Sequence, residues 1–300
     1  FNEERTLGFV IKEIPRSIPG VDQIQILVIN DGSTDRTMDI AVQAGADKII
    51  SHKYNMGLAQ SFRDGLNRAL EMGADIIVNT DADFQYNGSE IPKLIAPIIE
   101  GKADIVLGNR QIDRLDHMPF GNLWGNKLAT RVTRWTTGLA IQDAQTGFRA
   151  FSRDAALQMN LTGDYTYTQE TLIQAANKNL KIDQIPVEFR KREGKSRLIS
   201  SISRYARSAG ITIFRSFGAY HPFVIFSGIG IFCILLGTFF GLKVILHFFM
   251  TGRVEPYLPS ALLTTVLLII GFLAILFGLL ADMIRTQRML TEEILFRLKK

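Results

Sequence analysis

Ile76-Ile77-Val78-Asn79-Thr80-Asp81-Ala82-Asp83-Phe84-Gln85 reads as a short buried strand that ends in two carboxylates two residues apart. The branched apolar run up to Val78 is the pattern of a strand covered on both faces. Two carboxylates held close together repel each other unless a cation neutralises them. Hard oxygen ligands of this kind suit Mg²⁺ or Mn²⁺, which bind through one or two carboxylates plus substrate phosphates. The competing reading is a polar strand end whose acids cap the next helix.

Outward from this stretch, strands and helices alternate. Leu7 to Ile14 has helical spacing, and Ile24 to Ile29 is a short apolar strand. A helix is expected from Ser33 to Ala44, a strand from Lys48 to Ser51 and a helix from Gly57 to Met72. A helix from Ser89 to Glu100 and a strand from Ile105 to Gly108 follow. Repeated βα units predict an α/β fold with one Rossmann-like, doubly wound and mostly parallel sheet. Ligands of such sheets bind at the carboxyl ends of the strands. Asp31-Gly32-Ser33, Asp81-Ala82-Asp83 and Gly108-Asn109-Arg110 all fall there.

The apolar fraction of 47% is unevenly spread along the 300 residues. Phe223 to Leu242 and Leu258 to Ala281 run for 20 and 24 residues without a charge. At about 1.5 Å per residue, each is long enough to cross a hydrocarbon core of about 30 Å as a helix. The expected organisation is a globular domain over 1–197, an interfacial amphipathic helix over 198–221, a two-helix transmembrane hairpin over 222–281 and an amphipathic tail over 282–300. Basic residues crowd the outer flanks of the two spans: Arg190 to Arg215 on one side, Arg285 to Lys300 on the other, against Arg253 alone in the hairpin. That asymmetry predicts an integral membrane protein with both termini and the globular domain in the cytoplasm. Lys243 and His247 sit near the far end of the first span, where a long side chain reaches the interface.

The formal net charge of +5 comes largely from the juxtamembrane segments, so anionic lipid is the expected partner and nucleic acid is not. A lone cysteine, Cys233, excludes an internal disulfide and a thiolate metal cluster. The chain opens at Phe1-Asn2-Glu3-Glu4 without methionine, and a first β-strand is expected ahead of it.

Six motifs occur in order: Phe1-Asn2-Glu3-Glu4, Asn30 to Asp35, Asn55-Met56-Gly57, Asp81 to Gln85, Gly108-Asn109-Arg110 and Asp143 to Arg149. Together they resemble glycosyltransferase family 2, in its dolichyl-phosphate mannose synthase-like and polyprenyl-phosphate glycosyltransferase branch. The resemblance spans about residues 1–197 and implies a GT-A-type nucleotide-sugar domain. It implies that Glu3 and Asp31 contact the base and ribose, and that Asp81 faces nucleotide and metal. Asp83 and Gln85 would bind the divalent ion, Mg²⁺ or Mn²⁺, that bridges the diphosphate. Asp35 reads more simply as a helix cap. Arg110 and Arg149 are candidates for phosphate oxygens, although Arg149 also fits a structural pairing with a carboxylate. Arg190, Arg192 and Lys195 lie in a stretch similar to the basic loop that closes over diphosphate in this family, or form a basic membrane-proximal linker. Asp143 holds the position discussed as a base and is expected to orient the acceptor.

A hydroxyl acceptor needs a general base, whereas a phosphate monoester with a second pKa of about 6 is already largely dianionic at pH 7. Cations beside a membrane therefore favour a polyprenyl phosphate acceptor, and the resemblance implies an inverting transfer of one hexose to it from GDP-mannose or a UDP-sugar. Mannose synthase-like members carry further arginines after Gly-x-Arg; here Lys127 and Arg131 are the nearest cations. The rivals are a hydroxyl acceptor, a processive polysaccharide synthase and a catalytically silent nucleotide-binding scaffold. Arg134-Trp135 resembles part of a synthase motif but precedes Asp143, and reads as a helix face. Sugar, base, polyprenol and oligomeric state, a homo-oligomer included, stay open.

Overall fold

The computed structural model describes residues 1–112, 120–161, 167–191, 218 and 221–299. The chain divides into two compact units, residues 1–214 and 215–298.

In the first unit, α1 (Leu7–Glu13), β1 (Leu27–Asn30), α2 (Thr37–Gln43), β2 (Lys48–Ser51), α3 (Leu58–Glu71) and β3 (Ile76–Asn79) alternate as expected. A 3-10 turn, Gly88–Glu90, leads into α4 (Ile91–Ile99), followed by β4 (Ile105–Asn109) and α5 (Phe120–Thr137). The remainder is β5 (Arg149–Ser152), α6 (Arg153–Gln158), α7 (Thr168–Asn177) and β6 (Ile182–Pro186). Strands β1 and β2 form a parallel pair, and the other four form a sheet in the order β3-β5-β4-β6. Strand β5 runs antiparallel to both β3 and β4, while β4 and β6 are parallel. The sheet is therefore parallel apart from one inverted strand, which alternating βα units do not announce.

Burial follows from layers on both faces. Ile105 and Leu107 of β4 point into a core with Phe62, Leu66, Phe151 and Leu172, and Val106 points into the opposite core with Leu94, Phe148 and Ala150. A strand covered on both sides needs apolar residues at every position, and all five of β4 are buried. A third cluster, Leu7, Ile11, Ile26 and Ala41, packs around β1 and β2. Asp35 holds the first turn of α2, accepting from the Thr37 backbone N–H at 3.0 Å.

The second unit contains α8 (Pro222–Thr251) and α9 (Leu258–Lys299), both long and apolar enough to cross a membrane. Helix α8 ends at Gly252, whose φ of 68° gives a left-handed cap. The turn that follows is held to the end of α8 by two side chains. Lys243 Nζ lies 4.6 Å from the Tyr257 ring centroid, and His247 Nε2 bonds the Glu255 carbonyl at 2.9 Å. The tail is not a separate helix. Nothing after Gly278 is glycine or proline, so the helix continues past the apolar stretch, with Arg288–Glu292 and Arg297–Glu293 pairs one turn apart. The interfacial helix expected over 198–221 falls almost wholly outside the described residues.

Large apolar side chains such as Phe232, Leu235, Phe239 and Leu262 stand exposed on the outer faces of the two helices, as lipid-facing residues do. Where the helices meet, Gly230, Gly237 and Gly241 of α8 face Gly271, Leu267 and Thr264 of α9, and the missing side chains let backbones approach in the absence of a hydrophobic drive to associate. A Cβ at Gly230 would lie 2.6 Å from the Gly271 carbonyl, and one at Gly271 would lie 2.8 Å from the Gly230 carbonyl. Gly228, on the same helix, faces open space. Gly230→Ile is expected to force the helices apart and cost about 1–3 kcal/mol, whereas Gly228→Ile stays within about 0.5 kcal/mol. Denaturant unfolding in detergent checks both.

Candidate active site

The inverted strand explains how distant motifs meet. Arg149, the first residue of β5, pairs with Asn79 at the carboxyl end of β3 and with Leu107 near the end of β4. The loop 143–148 that precedes β5 therefore arrives where β3 and β4 deliver Asp81 and Arg110. Asn79 Nδ2 donates to the Gly147 carbonyl at 2.7 Å and to Tyr167 Oη at 2.8 Å. Tyr86 Oη accepts from the Gly147 N–H at 3.0 Å. Burial pushes the Tyr86 phenol up to about 12, with the Asp81 and Asp143 charges adding to it and the Arg110 charge opposing. It therefore stays neutral and can share a proton with Thr146 Oγ1. A Cβ at Gly147 would lie 2.7 Å from Asp81 Oδ2, so only glycine leaves room for the carboxylate.

Arg110 and Asp143, both expected on substrate, hold each other. Arg110 Nε donates to Asp143 Oδ2 at 2.7 Å and Nη2 donates to Oδ1 at 2.9 Å. The backbone N–H of Gln145 also donates to Oδ1, at 3.2 Å. Asp143 is wholly buried and 10% of the Arg110 side chain is exposed. Burial opposes both charges, but the Arg110 guanidinium outweighs it and holds the Asp143 carboxyl below its ordinary value, while Asp143 holds Arg110 above. An acid so paired is a poor proton acceptor, and the geometry speaks against Asp143 as a base.

Arg149 does not hold phosphate. Its guanidinium has no exposed surface and donates to the carbonyls of Ala144, Thr146 and Thr168 and to Thr171 Oγ1. No carboxylate is among these partners; the structural role is to gather the backbone of loop 143–148 onto α7. Arg190 is likewise committed elsewhere. Its Nη1 bonds both oxygens of Glu13, at 2.9 and 3.0 Å, and its guanidinium carbon lies 4.7 Å from the Phe84 ring centroid. Its backbone N–H donates to the Gln85 carbonyl at 2.8 Å, tying the root of the basic stretch to the acidic loop. Arg192 and Lys195 lie outside the described residues. Lys127 and Arg131 are exposed on α5, each one residue beyond the buried Asn126 and Thr130. It is Asn126 and Thr130 that reach the site, at Arg110 and the Ala144 N–H.

Asp31, at the end of β1, accepts from the Met56 and Gly57 backbone N–H groups at 2.8 and 2.9 Å and from His52 at 2.8 Å. Burial raises its pKa, but these bonds, His52 first, bring it below the usual value. Glu3 is set beside the acidic loop by Thr6, whose hydroxyl bonds Glu3 Oε2 at 3.2 Å and the Ala82 carbonyl at 2.7 Å. The donor set of the acidic loop fits a hard divalent ion: two carboxylates, and Gln85, whose Nε2 is occupied by the Arg190 carbonyl at 3.3 Å so that its amide oxygen is the atom left for a metal. Glu13, Tyr86 and Asp64 belong to this network without carrying any motif. His52 had only its place three residues before Asn55 to mark it.

Arg110→Met should leave the Asp143 charge buried and unpaired and cost about 3–5 kcal/mol, while Arg110→Met with Asp143→Leu recovers most of it; thermal unfolding of the two variants checks this. Gly147→Ala should keep the fold within about 1 kcal/mol but turn the Asp81 carboxylate aside and raise the metal concentration needed for half-maximal activity about tenfold. A metal titration alongside thermal unfolding separates the two effects.

The profile of glycosyl transferase family 2 matches residues 1–158. The chain is 30% identical over 198 residues to a dolichyl-phosphate hexose transferase of Haloferax volcanii, covering 66% of this chain and 83% of the relative. It is also 30% identical over 209 residues to a UDP-N-acetylglucosamine–dolichyl-phosphate N-acetylglucosaminyltransferase of Methanococcus voltae, covering 63% and 82%. Among solved structures, glucosyl-3-phosphoglycerate synthase of Mycobacterium tuberculosis with Mn²⁺, UDP-glucose and phosphoglyceric acid superposes with a TM-score of 0.58 at 22% identity, covering 73% and 77%. That likeness gives the GT-A-like fold. With the family profile spanning more than half of its length, the chain belongs to glycosyl transferase family 2 and is a glycosyltransferase.

Proposed function

We propose that this enzyme transfers one hexose from a nucleotide sugar to a membrane polyprenyl phosphate, with inversion, giving a polyprenyl-phosphate monosaccharide. The observation that carries the reading is the saturation of Asp143 by Arg110 in a chain with two membrane-length apolar helices. A hydroxyl acceptor would need a base at that position. A lipid phosphate is dianionic near neutral pH, since its second pKa is about 6, and attacks without one. The relatives named for transfer to dolichyl phosphate support the same acceptor.

An acceptor phosphate oxygen forms the new bond to the anomeric carbon as the bond from that carbon to the diphosphate oxygen breaks. The nucleoside diphosphate leaves with the electron pair. Asp81, Asp83 and Gln85 would hold a Mg²⁺ or Mn²⁺ ion, which supplies charge neutralisation to the departing diphosphate. Asp31, at the end of β1, and Glu3, ahead of α1, would face the base and ribose. Arg110, pre-set by Asp143 and with part of its side chain exposed, would present positive charge at the reacting phosphates, and Arg192 and Lys195 would add to it. The arginine-rich flanks of the two spans support a cytoplasmic site and cytoplasmic termini.

Purified protein in detergent, with Mn²⁺ or Mg²⁺, polyprenyl phosphate and a panel of labelled UDP- and GDP-sugars, should move label from one donor into the organic phase. Asp83→Ala should lower the rate about 100-fold or more. Folded protein that transfers no label to lipid from any donor would defeat the reading.

A further inference from the structure

Phe84 stands between Asp83 and Gln85 with a backbone that its residue type avoids. Its φ is 63°. Among the described residues, the other non-glycines with positive φ are Asn2, Asn179 and Gln111. Asparagine tolerates the left-handed region, but a bulky residue there is an outlier, disfavoured by a factor of about 5 to 30. Such a conformation persists only where the surroundings enforce it. It also shapes the loop. An extended chain separates residues two apart by about 6.6 Å. The left-handed residue folds it instead, and Asp83 Oδ1 accepts from the Gln85 N–H at 3.2 Å. The backbone of Phe84 thereby fixes how Asp83 and Gln85 stand toward each other.

The ring of Phe84 is held by two contacts. The Phe9 ring lies 5.6 Å away, centroid to centroid, and the Arg190 guanidinium carbon lies 4.7 Å from the Phe84 centroid. Phe9 is 58% exposed, so packing of α1 onto the core does not account for its place. Thr6, just ahead of α1, and Phe9 and Glu13 within it follow at spacings of three and four, which is one helix face. All three bear on the acidic loop. Thr6 bonds the Ala82 carbonyl at 2.7 Å, Phe9 meets Phe84, and Glu13 anchors Arg190 through both oxygens. From the other side, the Arg190 N–H donates to the Gln85 carbonyl, the Arg190 carbonyl accepts from Gln85 Nε2, and Phe189 bridges to Tyr86. An aromatic pair and a cation over a ring are each worth a factor of about 2 to 10. Together they are of the size needed to offset the left-handed backbone.

Resting on the reading of Asp83 and Gln85 as metal ligands, we infer that Phe84 is a positioning residue for the divalent ion. Its left-handed backbone sets the two ligands, and Phe9 with the Glu13–Arg190 pair holds that backbone. The acidic loop is thus shaped by α1 and by the segment after β6 before a diphosphate arrives.

Mn²⁺ alone, added to the full chain in detergent and followed by the electron paramagnetic resonance of the free ion, tests this alongside thermal unfolding. Phe84→Val removes the ring and adds a β-branch that resists the left-handed region. It should raise the Mn²⁺ concentration for half-saturation at least about tenfold. Phe84→Gly removes more of the side chain but takes that backbone freely, and should stay within about threefold of wild type. A role in packing alone would give the opposite order, glycine worse than valine, and that order overturns the inference. If Phe84→Val does not fold, Phe84→Ala should bind about fivefold more weakly than Phe84→Gly, and equal binding by the two overturns it as well. Arg190→Lys keeps the charge but loses the flat face over the ring. It should cost about threefold in the wild type and nothing further in Phe84→Gly; an equal cost in both backgrounds overturns the clamp. Asp83→Ala should abolish this binding. If it holds Mn²⁺ as the wild type does, the metal reading itself fails, which is distinguishable from a failure of Phe84 alone.

Discussion

A guanidinium without solvent access organises the catalytic end of this domain. Arg149 opens the one antiparallel strand of the four-stranded sheet, and the backbone carbonyls of loop 143–148 and of α7 converge on it. A buried Arg demands acceptors for its N–H donors, and here it finds three main-chain carbonyls and a threonine hydroxyl rather than an acid. The loop is thereby pinned at the carboxyl ends of β3 and β4. That pinning puts Asp143 against Arg110 and Gly147 against Asp81. Remove the arginine and the strand can still pair, but the loop that carries the chemistry loses its anchor.

Protein charge around the site is balanced pairwise. Asp143 is matched by Arg110 and Arg190 by Glu13, while Asp31 is held by His52 and two backbone N–H groups. Each pair fixes a side chain that would otherwise sample several rotamers, and the two buried acids are held with bonds from more than one direction. The acids of the Asp81–Gln85 loop are of another kind. They stand two residues apart at a strand end, beside an amide oxygen, and that setting suits a divalent ion that arrives with a diphosphate. A site built this way holds its protein charges still and leaves the mobile charge to the substrate.

The membrane unit solves a different problem with small residues. Apolar side chains gain nothing by leaving lipid for one another, so close backbone contact has to supply the attraction. Gly230 and Gly271 meet backbone to backbone, with Leu267 and Ile275 packed beside the glycines, while Phe232, Leu235 and Phe239 point outward.

Much of this was legible in the chain as written. Periodicity located β1 to β4 and the helices between them, because strands buried on both faces need unbroken apolar runs and amphipathic helices need a 3.6-residue repeat. The two spans were plain from uncharged length alone, and Asp35, read as a cap, bonds the first N–H of α2 from one residue ahead of the cap position. Motif order pointed to the family. The inverted β5 was not legible, since Arg149-Ala150-Phe151-Ser152 carries no signal of direction, and strand direction depends on pairing partners far away in sequence. The continuity of α9 past the membrane segment was also missed, because amphipathic composition marks a change of surroundings and not a break in the backbone. Local composition and spacing determined which residues are present at the strand ends. Only tertiary structure decided which of them pair with each other: Arg110, Arg149 and Arg190 are alike as side chains, and burial and neighbours alone gave one a buried aspartate, one a set of carbonyls and one a glutamate on α1.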